Sequence, residues 1–208
     1  TTKKKEPIAY VNFWGEDRIL AAAVAAYVNS LIANTSRNTT GRAYEVRPVH
    51  VEARNLAFIG SVLLARYLQH VGFTAERKFN VPEVVWRGTE DCVAGYLRGL
   101  FHADGTINVS GKSQTCSVRL SSSRETLLKD VQALLANFGI FSRIHRRRPA
   151  GQRVLPDGKG GSKTYRCGAD YELIIDGESR DRFMAEIGFL TEAKALRYHS
   201  WIKDKRLY

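Results

Sequence analysis

Residues 93–105 read VAGYLRGLFHADG, an apolar stretch punctuated by glycine and closed by one acid. Gly95, Gly99 and Ala103 recur every four residues, so on an α-helix they form one smooth ridge, with Tyr96, Leu97, Leu100 and Phe101 as bulky flanks. A glycine inside a helix costs about 1 kcal/mol relative to alanine, and a ridge of them is explained by another backbone, a second helix, packed unusually close. Asp104 and Gly105 end the element. Gly105 is expected to take the left-handed conformation of a helix C-terminus and to turn the chain into a strand from about Thr106. A carboxylate at that end faces the negative pole of the helix dipole and calls for a cation, which a divalent metal would supply. On these residues alone two readings stay open: a core helix that stops at a polar Asp-Gly turn, and a helix whose terminal acid is a metal ligand.

Leu97–Gly105, LRGLFHADG, resembles the LAGLIDADG motif of homing endonucleases, especially those embedded in inteins, matching at Leu97, Gly99, Leu100, Ala103, Asp104 and Gly105. His102 replaces the first aspartate of the motif; in that family the metal-binding acid is the second, which Asp104 retains. Arg98 stands where the motif has alanine, off the ridge, where its side chain is expected to reach solvent or DNA. The resemblance implies an α+β fold of two pseudo-symmetric αββαββα halves with antiparallel saddle-shaped sheets. It also implies two such helices packed ridge to ridge, each giving one acid, so that both strands of a duplex are cut across the minor groove. Asp104 is then a catalytic residue and a metal ligand. Magnesium suits the role, since it takes carboxylate oxygens together with substrate phosphate oxygens and waters, and manganese can substitute.

Composition sets the outer limits. The 208 residues are 44% hydrophobic and 25% charged, an ordinary globular balance with room for one sizeable core or two small ones. No apolar run is long enough to cross a membrane and no signal-peptide pattern opens the sequence, so the expectation is a soluble, intracellular, cytoplasmic protein, nucleoid-associated in a prokaryote. Cys92, Cys116 and Cys167 are odd in number and lack zinc-site pairing; they read as reduced thiols, largely core filler. The formal charge of +11, from 32 Lys and Arg against 21 Asp and Glu, asks for a polyanion. Arginine in strand-like segments, with no basic amphipathic helix, favours nucleic acid over a membrane surface.

Along the chain, Pro7–Trp14 reads as a strand with Ala9, Val11 and Phe13 on one face and Tyr10, Asn12 and Trp14 on the other, followed by an alanine-rich helix to Ile32. A strand-like stretch from Arg42 to Val51 and a core-facing helix over residues 57–73 come next, with Phe58, Ile59, Val62 and Leu63 on its apolar face. After the central helix, 106–110 and 115–121 alternate as a hairpin with one buried face; a helix reaches Phe138, and in the strand Ile140–Arg148 the residues Arg143, His145 and Arg147 share a side. Pro149–Lys163 reads as a mobile loop leading to a last strand, about Thr164–Ile175, and two helices. The halves repeat. An offset of 107 lays Val118 on Val11, Leu120 on Phe13 and Val131 on Val24, and an offset of 116 lays Gly188 on Gly72, Phe189 on Phe73 and Lys194 on Lys78. The expected division is 1–88 and 89–208. The first copy of the acidic helix falls before residue 1, so another segment or chain is expected to supply it.

Lys78, ahead of Val81-Pro82, resembles the lysine-before-proline block of intein endonucleases, and Lys194, in FLTEAKALRY, the lysine block of their second half. The resemblance implies that both sit near the scissile phosphates and act in catalysis. The polar strand faces are expected to enter the major groove, with Tyr10, Asn12 and Arg47 in the first half and Asn108, Ser117, Arg119, Arg143, His145, Arg147 and Arg166 in the second. Arg146, Arg148, Lys159 and Lys163 are assigned to phosphates. The expected function is a site-specific, metal-dependent endonuclease of double-stranded DNA from an intein, unable to splice by itself. The rival is a non-cleaving module of the same type that binds DNA, or RNA as intron maturases do.

Overall fold

The computed structural model describes residues 6–33, 44–74, 77, 79–111, 115–158 and 160–205. The chain divides into two compact units, Thr1–Ala75 and Glu76–Tyr208. No described helix is long and apolar enough to cross a membrane.

The first unit runs β1 (Ala9–Trp14), a 3-10 turn, α1 (Leu20–Ile32), β2 (Val49–Val51), β3 (Leu56–Ser61) and α2 (Val62–His70). Its strands pair antiparallel in the order β1-β3-β2. Phe13, Ala57 and Ile59 pack from the sheet against Ala21, Ala25, Val28 and Ile32 of α1, and each large side chain so buried contributes about 1.5–3 kcal/mol. Two expectations are corrected. Leu56–Ser61 is a strand, because Ala57, Ile59 and Ser61 bury alternate positions and the Ser61 hydroxyl accepts from the Leu64 amide, starting the helix only at Val62. Residues 44–48 are not strand: the Asn29 side chain donates to the Val46 carbonyl and accepts from its amide, at 2.9 and 2.8 Å, tying this segment to α1 in place of a ladder.

The second unit runs α3 (Glu83–Trp86), α4 (Glu90–Asp104), β4 (Gly105–Ser110), β5 (Thr115–Ser122), α5 (Glu125–Ala136), β6 (Arg143–Arg148), β7 (Gly151–Pro156), β8 (Ser162–Cys167), β9 (Asp170–Ile175), α6 (Gly177–Glu186) and α7 (Glu192–Lys205). One antiparallel sheet has the order β4-β5-β9-β6, and β7 and β8 form a separate two-stranded ribbon. The stretch read as a mobile loop, Pro149–Lys163, therefore holds β7 and the start of β8. The single last strand expected over Thr164–Ile175 is broken at residues 168–169 into β9 and β8, which pairs with β7 in a hairpin. Its residues are nearly all exposed, so no alternation of apolar and polar residues marked it in the sequence. Val118, Leu120, Leu173 and Ile175 line the inner face of the sheet against Leu128, Val131, Leu135 and Phe183, and Phe101 of α4 meets Phe183 at 4.7 Å between ring centroids.

A buried arginine closes this core. Arg180 grips Asp181 through two 2.8 Å bonds, donates to the Cys116 carbonyl at 3.0 Å and lies 4.2 Å from the Trp201 ring. Tyr198 donates to Asp181 at 2.9 Å, and burial, then that hydrogen bond and the Asp181 charge, push its phenol up to about 12. Burial likewise pushes up the Cys116 thiol. Among the three cysteines only Cys116 is a core residue; Cys92 is exposed and Cys167 half-buried, and all are free.

The two sheets share their plan. β1-β3-β2 of the first unit matches β5-β9-β6 of the second. The matched pairs are in register: Val11 opposes Ile59 as Val118 opposes Ile175, and Phe13 opposes Ala57 as Leu120 opposes Leu173. The offsets of 107 and 116 found in the sequence are thus reproduced in the ladders.

Candidate functional site

Helix α4 starts at Thr89, whose hydroxyl accepts from the Cys92 amide, and buries Val93, Leu97, Phe101 and His102. Its other side carries the ridge. A Cβ added at Gly95 or Gly99 would meet no described atom within 4 Å, so the close approach that the ridge anticipates is not made by the described residues. Gly105 is extended, at φ −86°, and not left-handed as expected. It is glycine for another reason: a Cβ there would lie 2.6 Å from the Phe101 carbonyl oxygen, which already accepts from the Gly105 amide.

Asp104 is exposed at the end of α4 and leads directly into the edge strand β4. The cation called for by the helix dipole is present. Lys194 of α7 donates through Nζ to the His102 carbonyl, two residues before Asp104, and lies 5.8 Å from the Phe189 ring. The acid and the lysine singled out in the second half therefore share one helix end. Arg98, expected to reach solvent or DNA, instead donates from Nε to the Ile187 carbonyl at 2.6 Å, satisfying the C-terminal end of α6. Burial, then the nearby Asp130 charge, push the Tyr96 phenol on the same helix up to about 12.

The outer face of the four-stranded sheet is polar and basic. Register puts Arg119, Ile174 and Arg143 in one row across β5, β9 and β6, and Ser121, Glu172 and His145 in the next. Asn108 lies opposite Ser117 at the edge. Glu172 is 6% exposed and sits among three basic side chains, with Arg119 Nη1 at 3.2 Å, His145 Nε2 at 3.8 Å and Arg147 Nη1 at 3.9 Å. Arg119 also donates to the Ser117 hydroxyl at 3.0 Å, and Arg143 pairs with Asp176 at 2.8 Å. One carboxylate thus organises a surplus of cations, holding them on the sheet instead of letting them wave in solvent. Glu172 is not among the residues singled out from the sequence. Its signal was an acid alternating with Leu173 and Ile175 in a strand whose inner face is apolar.

The other candidates lie apart. Arg166 is on the exposed ribbon with Lys163, off the four-stranded sheet that carries the others. Tyr10 and Asn12 stand on the outer face of β1, and Arg47 is exposed and paired with Glu45 at 2.7 Å. Lys78 and Lys159 lie outside the described residues. The outer face of the first unit's sheet has a different chemistry: register aligns Asn12, Phe58 and Val49 in one row and Trp14, Leu56 and Val51 in the next.

The donors suit a hard divalent cation held in part by its substrate. Asp104 offers exposed carboxylate oxygens, and magnesium is commonly held by one or two carboxylates together with substrate phosphates. No group of three or more His, Cys, Asp or Glu side chains that could hold a metal ion by themselves occurs among the described residues.

Residues 91–188 match the LAGLIDADG-like domain family. Over 189 residues the chain is 31% identical to the ribonucleoside-diphosphate reductase NrdEB subunit alpha of Bacillus subtilis, a match covering 86% of this chain and 17% of that protein. It is also 31% identical over 116 residues to a glutamine–fructose-6-phosphate aminotransferase of Methanocaldococcus jannaschii, covering 54% of this chain and 9% of that protein. The chain spans less than a fifth of the length of these curated relatives. A solved structure of the homing endonuclease I-DmoI, in complex with DNA and calcium, superposes with a TM-score of 0.53 at 18% identity, covering 92% of this chain and 83% of that one. The shared feature is the fold, α+β with antiparallel sheets.

Proposed function

We propose that the chain is a site-specific double-stranded DNA endonuclease domain of the LAGLIDADG homing type, carried by an intein and dependent on a divalent metal, with halves at residues 1–88 and 89–208. The observation that carries this reading is one helix end where an exposed acid, Asp104, is accompanied by Lys194 and continues into a sheet faced with arginine. The intein origin is supported by the relatives. A segment common to a reductase and an aminotransferase, and making up a small part of each, has the distribution of an insertion and not of either host's catalytic domain.

Asp104 would hold the metal, magnesium or manganese, which when bound supplies the Lewis acidity for water to hydrolyse a phosphodiester. The likeness to I-DmoI, whose DNA complexes have been solved with magnesium and with manganese, favours those ions. Lys194, anchored by the His102 carbonyl, would stabilise negative charge developing on a phosphate. Lys78 would serve the first half in the same way. Arg119, Arg143, His145 and Arg147 of the four-stranded sheet, with Asn108 and Ser117, would take the major groove, and Arg166 would reach the duplex from the ribbon. Cutting both strands calls for a second acid on a matching ridge, from another segment or chain.

The test is cleavage of duplexes selected by binding, with magnesium and with chelator. Asp104→Asn should lower cleavage by about a thousandfold or more and leave binding intact. Loss of binding with cleavage would make Asp104 a structural residue. Binding by the wild type with no cleavage under either metal, also after addition of a segment carrying a second acidic helix, would establish a recognition module for DNA or, where RNA is preferred, of maturase type.

A further inference from the structure

We infer that the two sheets read stretches of opposite composition: the second unit a guanine-containing stretch, the first unit a stretch rich in A·T pairs recognised through thymine methyl groups. This rests on the DNA-binding reading above. At matched register positions Arg119 and Arg143 correspond to Asn12 and Val49, and Glu172 and His145 to Leu56 and Val51. The strands that present these side chains are the same; the charge is gone. In the major groove arginine pairs with guanine O6 and N7, asparagine with adenine N6 and N7, and apolar side chains touch the C5 methyl of thymine. An asparagine amid apolar neighbours is therefore a pattern for A·T pairs.

The face is preformed. The Tyr10 ring lies over Gly60, its Cε1 2.9 Å from where a Cβ would stand, and meets Phe58 edge-on at 5.9 Å between centroids, so the glycine makes room for the ring. Tyr10 and Trp14 are each 58% exposed and Val49 47%, and register puts all three on this one face. Asn12 decides between occupants. An apolar protein surface laid here would bury the Asn12 amide, between Tyr10 and Trp14 along β1, without partners, whereas a base pair offers it a donor and an acceptor.

The 208-residue chain is used to select bound duplexes from a randomised library, and thymidine in the selected site is then replaced by deoxyuridine, stretch by stretch. The expected site has one A·T-rich and one guanine-containing stretch, and uracil lowers affinity about fourfold for each contacted methyl in the first stretch only. Asn12→Ala, and independently Val49→Ser, which removes both methyl groups, should relax preference in that stretch and leave the guanines selected. Sites of uniform composition, or unchanged affinity with uracil throughout, overturn the inference while DNA binding stands. So does a dimer of the chain dissolved by Trp14→Lys at unchanged DNA affinity. Failure to bind any duplex overturns both the inference and the reading beneath it.

Discussion

The two sheets are built on one plan and finished differently. β1-β3-β2 and β5-β9-β6 agree in strand order and in register, and their inner faces keep apolar side chains at matched positions, Val11 with Val118 and Phe13 with Leu120. Their outer faces share almost nothing: one gathers Arg119, His145 and Arg147 around Glu172 and pairs Arg143 with Asp176, the other sets Asn12 among Trp14, Phe58 and Val49. Because strand side chains alternate between faces, a sheet can hold its core constant while every outward position changes. The core and the outward chemistry are thus carried by opposite faces of the same strands.

The comparison breaks most readily in the core. Leu120→Ala and Phe13→Ala remove side chains at matched register positions, and each should cost about 3 kcal/mol of stability, read from denaturant unfolding. A cost below about 1 kcal/mol at Phe13 would mean that the first unit's sheet is not packed as its twin is. The outer faces come next in size. Arg119→Ala should weaken binding to a guanine-containing target by about 2 kcal/mol, and Arg148→Ala should lower the slope of log affinity against log salt by about one. Asn12→Ala should leave that slope where it is; a change there would show that both faces work by charge. The smallest effect concerns helix α4, with no counterpart among the described residues of the first unit. Gly99→Ala should stabilise the chain by about 1 kcal/mol, since nothing described fills the space of a Cβ, yet impair cleavage if a partner helix must seat on the ridge. Unchanged cleavage would remove the ridge-to-ridge pairing from the proposal.

Much of this was legible where one face of an element is buried. Helix α4, the β4–β5 hairpin, α5 and the internal repeat all announced themselves through periodic apolar residues, and Asp104 and Lys194 fall at one helix end. The errors have physical causes. Leu56–Ser61 is apolar enough on both faces to imitate a helix, and the deciding signal was the single capping hydroxyl of Ser61. The β7–β8 ribbon buries neither face, so no period of two could betray it. Gly105 was correctly singled out for the wrong conformation, because a sequence shows that a side chain is missing but not what occupies its place. The bond of Arg98 to the Ile187 carbonyl is not legible in the sequence because its partner lies far along the chain.

The ribbon also bears on how the protein folds. In the first unit the strands β2 and β3 are joined by residues 52–55, a 3-10 turn closed by Asn55 in the left-handed conformation, so their pairing is almost local. In the second unit the equivalent pair, β6 and β9, is separated by residues 149–169, which hold the ribbon. Loop entropy grows only with the logarithm of length, and an insert that pairs with itself returns its two ends close together. The insertion therefore costs little in stability. It acts on rate: the β2–β3 pairing can form early from neighbouring residues, while β6 must find β9 across the ribbon, making it the late-docking edge of its sheet. The strand richest in arginine is thus expected to dock late on its sheet, which hydrogen-exchange labelling during refolding would show.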